Sequence, residues 1–199
     1  MNKHNYTMRK ISLACVLLAF SASVSAKDNN KIGFYFGAGI SQTTLAVNQQ
    51  NMAITYSTDP QSSFETNGLG LDLMVGIELD EYLSFEVAYT EIGSVALNNG
   101  TTQQKLFDAD MFNISAVISH PVSQKVDVYG RLGMSYWSTL NEEFDTMESG
   151  SGIVYGAGFD INIYGNENRL LRVEWRRQEF DSITFESADT VSASAVFKF

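Results

Sequence analysis

The chain has 199 residues and a formal net charge of −10 at pH 7, because 13 Lys and Arg stand against 23 Asp and Glu. An acidic surface repels the phosphate backbone, so this balance argues against nucleic acid as a partner. The single cysteine, Cys15, cannot form an intrachain disulfide, so the fold does not depend on a disulfide framework.

Residues 1–26 have the pattern of a secretory signal peptide. Arg9 and Lys10 precede an apolar run over residues 11–20, and a stretch of mainly small residues then ends at Ala26. We therefore predict that residues 1–26 are removed and that residues 27–199 form one domain, with 10 Lys and Arg against 23 Asp and Glu. A lipid anchor on Cys15 is disfavoured, because Ser12 replaces the usual leucine and the apolar run continues beyond the cysteine.

The mature sequence alternates between two kinds of residue with the period of a β-strand. Eight such segments run over residues 31–42, 69–79, 83–92, 107–120, 126–137, 152–164, 170–178 and 189–199. Each reaches about 9 residues or more, which a tilted strand needs to cross a bilayer. After residue 26 there is no run of about 18 apolar residues, so a mature chain that spans a membrane must cross it with strands.

The two faces of these segments differ in composition. The first segment has Ile32, Phe34, Phe36, Ala38 and Ile40 on one face, and Gly33, Tyr35, Gly37, Gly39 and Ser41 on the other. A soluble ligand-carrying barrel has the same period, but its polar exterior would be dense in charged residues. Here the second face is rich in glycine, with sparse charges of both signs, which is typical of a crowded lumen. We predict an all-β fold, namely an eight-stranded antiparallel up-and-down transmembrane β-barrel.

The joints between the segments alternate long and short. The short joints cover residues 80–82, 121–125 and 165–168, and the largest long ones cover 43–68 and 138–151. Barrels of the bacterial outer membrane have short periplasmic turns and longer extracellular loops, so we expect four extracellular loops and both termini in the periplasm. Aromatic residues near the segment ends suit interfacial girdles. They are Tyr82, Tyr89, Tyr136, Tyr164 and Trp175.

Five charged side chains fall on the inward face of the third, fifth and seventh segments. They are Glu86, Arg131, Arg172, Glu174 and Arg176, with Asp72 and Asp160 on their flanks. A charge taken out of water needs a partner, and eight strands leave an interior that side chains just fill. We therefore predict a structural ion-pair network that plugs the lumen. A gated ion path through paired charges is the alternative.

Little in the sequence indicates catalysis or metal binding. The mature chain has one histidine, His120, and it precedes Pro121 at a predicted periplasmic turn, so we expect no enzyme activity. The acidic residues of the third long loop offer only oxygen ligands for Ca²⁺ or Mg²⁺, and a solvated loop explains them equally well. They are Glu142, Glu143, Asp145 and Glu148, and Asp108 and Asp110 form a second weak cluster. The glycine pairs follow strand spacing, so no phosphate-binding motif is present and no cofactor is expected.

The last segment has Val191, Ala193, Ala195, Phe197 and Phe199 on one face and ends with an aromatic residue. Residues 125–137 and 170–176 resemble the fifth and seventh strands of the OmpA-like outer-membrane β-barrels, and residues 85–93 resemble the third. The resemblance implies a Gram-negative outer-membrane location, with lipids and lipopolysaccharide as neighbours. It also implies that Phe197 and Phe199 form an assembly signal, read by the barrel-assembly machinery after periplasmic chaperones deliver the chain. No peptidoglycan-binding domain follows Phe199, so we expect the stand-alone form of the family.

These observations lead us to expect a structural or surface-interaction role, with a rigid barrel that presents loops to an extracellular ligand of unknown identity. Three alternatives remain. A narrow pore or a route for small hydrophobic molecules would show conductance or an open lumen beside Tyr35 and Tyr129. An enzyme is disfavoured by the histidine count. A soluble periplasmic lipid carrier would stay in the supernatant when membranes are pelleted.

Overall fold

The computed structural model describes residues 32–48, 50–51, 63–65, 67–98, 103–141, 146–163, 168–182 and 185–199. The predicted signal peptide and the acidic residues Glu142, Glu143 and Asp145 lie outside these ranges. Within them, no helix has the length and apolarity that crossing a membrane would require.

The described part of the chain is almost entirely β-strand. The strands are β1 Gly33–Val47, β2 Ser63–Glu65, β3 Asn67–Glu78, β4 Leu83–Asn98, β5 Gln103–Pro121, β6 Val126–Asn141, β7 Thr146–Asn162, β8 Arg169–Phe180 and β9 Phe185–Lys198. All their pairings are antiparallel.

The strands close into an eight-stranded barrel, as the alternation predicts. Each of β3 to β9 pairs with its neighbour along the chain, and β1 joins β3 to β9. The short strand β2 pairs with the end of β4, where Phe64 lies opposite Leu97. It thus lies on the same side of β4 as β3, which pairs with the part of β4 nearer the short turns. Among the strands that the structure describes, closure leaves no long unpaired edge, which removes the aggregation hazard of an open sheet.

The strands are staggered around the barrel. A path across directly paired residues that starts at Tyr35 returns to β1 at Leu45, ten residues further along. The path runs through Gly76, Glu86, Ser115, Gly133, Val154, Gln178 and Ala188. Such a stagger requires the strands to tilt against the barrel axis. Residues at one height in the lumen therefore come from different positions along their strands.

Burial is inverted relative to a water-soluble protein. Large apolar side chains such as Leu69, Ile118 and Leu132 are 63–78% exposed, whereas Asp72 and Arg176 are fully buried. The lipid-facing and lumen-facing sets follow the two faces predicted from the alternation. An exterior of this composition is stable only where lipid covers it.

The strands at the long-joint end extend further than the alternation indicates. β6 and β7 pair as far as Asn141 and Thr146, so residues 138–141 and 146–151 form a hairpin rather than the predicted loop. Glu148 accordingly lies in β7. Likewise β1 continues to Val47 inside the predicted first loop, and β4 and β5 pair up to Asn98 and Gln103. The predicted loops were thus too long at their ends, because backbone pairing continues where apolar and polar residue types no longer alternate along the sequence.

The turns at the other end are short, as predicted. Between β3 and β4, the carboxylate of Asp80 accepts hydrogen bonds from the backbone N–H groups of Tyr82 and Leu83, each at 2.8 Å. Between β5 and β6, Val122 N–H donates to the carbonyl of Val126 at 3.0 Å. His120 stacks on Tyr82, with ring centroids 6.4 Å apart.

Candidate functional site in the barrel lumen

The lumen collects the charged side chains that the alternation assigns to it. Seven charged groups from five strands lie inside, each no more than 5% exposed: Asp72, Glu86, Arg131, Asp160, Arg172, Glu174 and Arg176. Even positions of β3, β4, β7 and β8 and odd positions of β6 point inward, so strand parity places every one of them. The five residues predicted for the network come together, and the two flanking aspartates join them.

Glu86 is the centre of the lower part of this cluster, where lower means nearer the short turns and upper means nearer the long joints. One of its carboxylate oxygens lies 2.5 Å from Nη2 of Arg131, and the other lies 2.5 Å from Nη1 of Arg172. The hydroxyl of Tyr35 also donates to Glu86 at 2.9 Å. One carboxylate thus connects β1, β4, β6 and β8 across the lumen.

Arg172 has a second partner below this centre. Its Nε and Nη2 atoms donate to the two oxygens of Asp160, each at 2.7 Å, which is the bidentate geometry of a strong charge-assisted pair. The guanidinium also lies over the ring of Tyr129, 4.6 Å from its centroid, and 5.6 Å from that of Tyr35. Both aromatic rings therefore stabilise the same cation.

Glu174 links the lower part of the cluster to the upper part. It lies 2.7 Å from Arg131, and it accepts a hydrogen bond from the hydroxyl of Tyr129 at 2.5 Å. Nε of Arg176 is 2.8 Å from Glu174, although that contact lacks hydrogen-bond alignment. Above it, Arg176 donates to Asp72 at 2.5 Å, and Asp72 accepts from the hydroxyl of Thr90 at 2.6 Å.

The cluster contains four carboxylates and three guanidinium groups, and every one lies within 2.8 Å of an opposite charge. Buried ion pairs add little net stability, because desolvation offsets the attraction, but removal of one partner leaves an uncompensated buried charge. The cluster therefore cross-links the strands around the lumen, and the loss of any one member removes a countercharge from at least one buried group. Among its members there is no nucleophile beside a general base.

Glycines opposite the two lumen tyrosines make room for their rings. A β-carbon added at Gly76 would meet the ring of Tyr35, and one added at Gly158 would lie 2.5 Å from the hydroxyl oxygen of Tyr129. Gly158 also faces the carbonyl of Val173, at the same 2.5 Å. Glycine is thus required at these two positions by the two tyrosines, which hydrogen-bond to carboxylates of the cluster.

The end of the lumen beside the long joints has a different character. An apolar cluster fills it: Leu45, Ile92, Ala109, Met111, Trp137, Phe185 and Ala188, with Val47 and Phe180 packed against them. The sequence interpretation missed this cluster, although the signal was present. Trp137 shares its parity with Arg131, so the inward face of β6 can be read upward from charged to apolar residues.

Other residues considered from the sequence lie elsewhere. His120 is exposed near the end of β5, and Asp110 accepts a hydrogen bond from Tyr89 at 2.8 Å on the outward face. In the parts of the chain that the structure describes, no group of three or more His, Cys, Asp or Glu side chains is arranged to hold a metal ion.

Comparisons with known proteins agree with this architecture. The family model for the outer membrane protein beta-barrel domain matches residues 12–199. Outer membrane protein A of Yersinia pseudotuberculosis is 30% identical over 133 residues, which cover 64% of this chain and 34% of that protein. Its counterpart in Escherichia fergusonii is 23% identical over 184 residues, covering 87% of this chain and 49% of that protein. The chain thus spans between a third and a half of the length of these relatives.

Solved structures show the same fold. The attachment invasion locus protein Ail of Yersinia pestis superimposes with a TM-score of 0.56 at 15% identity, over 84% of this chain and 98% of that one. A second structure of Ail contains the heparin analogue sucrose octasulfate. Neisserial surface protein A gives a TM-score of 0.57 at 16% identity, over 83% of this chain and 97% of that one. The closed barrel, its lipid-facing exterior and the match over residues 12–199 lead to one conclusion: the chain belongs to the outer-membrane β-barrel family, is OmpA-like, and resides in the outer membrane of a Gram-negative bacterium.

Proposed function

We propose that this protein is a plugged outer-membrane barrel with a structural or surface-interaction role. The observation that carries the proposal is the lumen itself, where seven charged side chains are buried and joined across the barrel. An open aqueous pore needs a continuous wet path, whereas these side chains occupy the cross-section of an eight-stranded barrel. A rigid barrel of this kind serves as a scaffold for its loops.

Planar bilayer recording tests the plug. The purified protein is expected to give no stable discrete openings at neutral pH. A conducting outer-membrane porin reconstituted in the same lipid is the positive control. Regular openings from the protein would overturn the plugged barrel and favour a narrow pore.

The proposal places both termini in the periplasm and the long-joint end outside the cell. The hairpins at that end are the extended ones, which supports this orientation. Export through residues 1–26 is part of the same proposal, and N-terminal sequencing of the protein from outer membranes should begin at Lys27. A start at Met1 would contradict export by cleavage.

The joint over residues 49–62 is the proposed interaction surface. It is the longest joint left after the strands are assigned, and a matched exchange of these residues for a Gly/Ser-rich sequence avoids β1, β2 and β3. The exchange should abolish surface binding while the protein still assembles. Exchange of the periplasmic turn over residues 122–125 is the control and should leave binding intact. Loss of assembly after the first exchange would show that the segment is structural.

The surface ligand proposed here differs in charge from the one seen with Ail. Sucrose octasulfate is a polyanion, whereas residues 27–199 have 10 Lys and Arg against 23 Asp and Glu, an excess of negative charge that repels such ligands. We therefore infer a neutral or cationic extracellular partner. Heparin affinity chromatography at low salt is the test, with Ail as the positive control. Retention of this protein comparable to that of Ail would refute the inference.

A further inference from the structure

The apolar cluster at the long-joint end lies in the same lumen as the ion pairs but above them. On β6, Trp137 stands six positions beyond Arg131, and on β8, Phe180 stands four beyond Arg176. On β1, Leu45 is ten positions beyond Tyr35. On these three strands the inward face thus changes from a charged or hydroxyl-bearing side chain to an apolar one towards the long-joint end.

A neutral polar layer separates the two. It contains Ser41, Asn113, Ser135 and Gln178, none more than 2% exposed. Neither of the two amides has a hydrogen-bond partner among the described residues. Two of these four side chains are serines, whereas Trp137, Phe180 and Phe185 bring aromatic rings into the cross-section above. The apolar cluster therefore covers the polar layer on the long-joint side.

The rings of the apolar cluster contact one another. The indole of Trp137 lies 5.2 Å from the ring of Phe185 and 5.6 Å from that of Phe180, measured between centroids. Gly150 on β7 allows the indole to approach, because a β-carbon there would lie 2.8 Å from it. Side chains of the protein thus pack against one another in this part of the lumen.

We propose that Leu45, Ile92, Met111, Trp137 and Phe185 form an apolar seal across the lumen, a second barrier that is independent of the ion-pair network. The proposal rests on the plugged barrel proposed above. Apolar constrictions block water and ions because wetting them is unfavourable, and that barrier needs no charge. The ion pairs below can then rearrange without opening a path to the long-joint side.

Cysteine accessibility tests the seal. Cys15 lies in the predicted signal peptide, so the mature protein offers no thiol background, and unmodified protein is labelled in parallel. Ser135→Cys places a thiol beneath the seal, and Ser149→Cys places one on an exposed position of β7. Both are reacted with a small water-soluble thiol reagent in detergent, alone and together with Trp137→Ala. Heat-modifiable gel mobility verifies folding, and Phe185→Ala replaces Trp137→Ala if that variant fails to assemble.

We expect the thiol at position 135 to react slowly, and to react more than about tenfold faster once Trp137 is truncated, because local opening governs access to a buried group. The thiol at position 149 should react at the same rate in both backgrounds. Unchanged protection at position 135 in the Trp137→Ala and Phe185→Ala proteins would overturn the seal and leave the plugged barrel standing. Fast labelling at position 135 without any truncation would overturn both.

Discussion

At the scale of single residues, the stability of the lumen depends on how its charged side chains are paired and not on each charge by itself. Glu86 holds two guanidinium groups and the hydroxyl of Tyr35, so its loss affects three side chains at once. The ion pair between Lys198 and Glu78 has the same 2.5 Å separation, but its side chains are 27% and 29% exposed. Burial, not distance, therefore decides how much each pair matters.

Glu86→Gln should lower the free energy of unfolding by roughly 3–5 kcal/mol, because Arg131 and Arg172 each lose a buried countercharge. Glu78→Gln removes an equally short but partly exposed pair and should cost less than about 1 kcal/mol. Urea unfolding of both variants in lipid vesicles, followed by tryptophan fluorescence, measures the difference. Equal losses would mean that the buried network has no special weight.

Gly158→Ala should destabilise the barrel by about 1–3 kcal/mol, because the new methyl group overlaps the hydroxyl of Tyr129 and the carbonyl of Val173. Gly130 lies on the outward face, where an added β-carbon meets nothing closer than 3.9 Å, so Gly130→Ala is the matched control. The same unfolding assay compares them. A neutral Gly158→Ala variant would show that the lumen can adjust around Tyr129.

At the scale of elements, strand alternation places side chains and the turns fix how the hairpins close. The turn between β3 and β4 is held by the carboxylate of Asp80, which accepts two backbone N–H groups. Those hydrogen bonds favour the charged form and lower the pKa of Asp80 below its ordinary value. The turn is therefore sensitive to acid although its side chain is exposed.

The sign of the pH effect follows from that lowered pKa. The stabilisation by Asp80 is fully present above the pKa of the carboxyl in the unfolded chain and is lost as the pH falls through the pKa in the folded protein. Asp80→Ala should therefore be less stable than the wild type at neutral pH, and the difference should vanish in strong acid. Asp80→Asn keeps an acceptor oxygen that does not titrate and serves as the control. A wild-type-to-alanine difference that stays constant with pH would contradict this account.

At the scale of the whole molecule, the barrel is closed where its first and last strands meet. β1 and β9 pair from Tyr35 opposite Lys198 up to Val47 opposite Phe185. At the bottom of this seam the ring of Phe36 stacks on Phe197 and Phe199, at centroid distances of 5.2 and 5.7 Å. Phe199 also donates its backbone N–H to the carbonyl of Phe34 at 2.9 Å, yet it remains 77% exposed.

Deletion of Phe199 should reduce the amount of barrel assembled in the outer membrane, because it removes the terminal aromatic ring proposed as part of the assembly signal, together with one hydrogen bond of the seam. Phe199→Tyr keeps both and should assemble normally. The heat-modifiable fraction in isolated outer membranes measures assembly. A normal yield after the deletion would remove Phe199 from the proposed signal, leaving the fold unaffected.

The amino-acid sequence by itself determined which face of each strand meets lipid. Alternation with a period of two separates the two faces of a strand, and the glycine-rich, sparsely charged composition of one face marks it as the lumen. Together they placed Glu86, Arg131 and Arg176 inside the barrel and Leu71, Leu132 and Phe159 outside. The strand count and the short turns also follow from the alternation, because its interruption marks each reversal of the chain.

Only the tertiary structure decided which inward residues meet. The register of the β7–β8 hairpin places Asp160 opposite Arg172, 12 residues away in the chain. The stagger of the closed barrel brings Asp72 of β3 to Arg176 of β8, 104 residues away. It also gathers Leu45, Trp137 and Phe185 at one end. Parity fixes a direction but not a height, and the extent of the hairpins depends on backbone hydrogen bonds that side-chain alternation does not report.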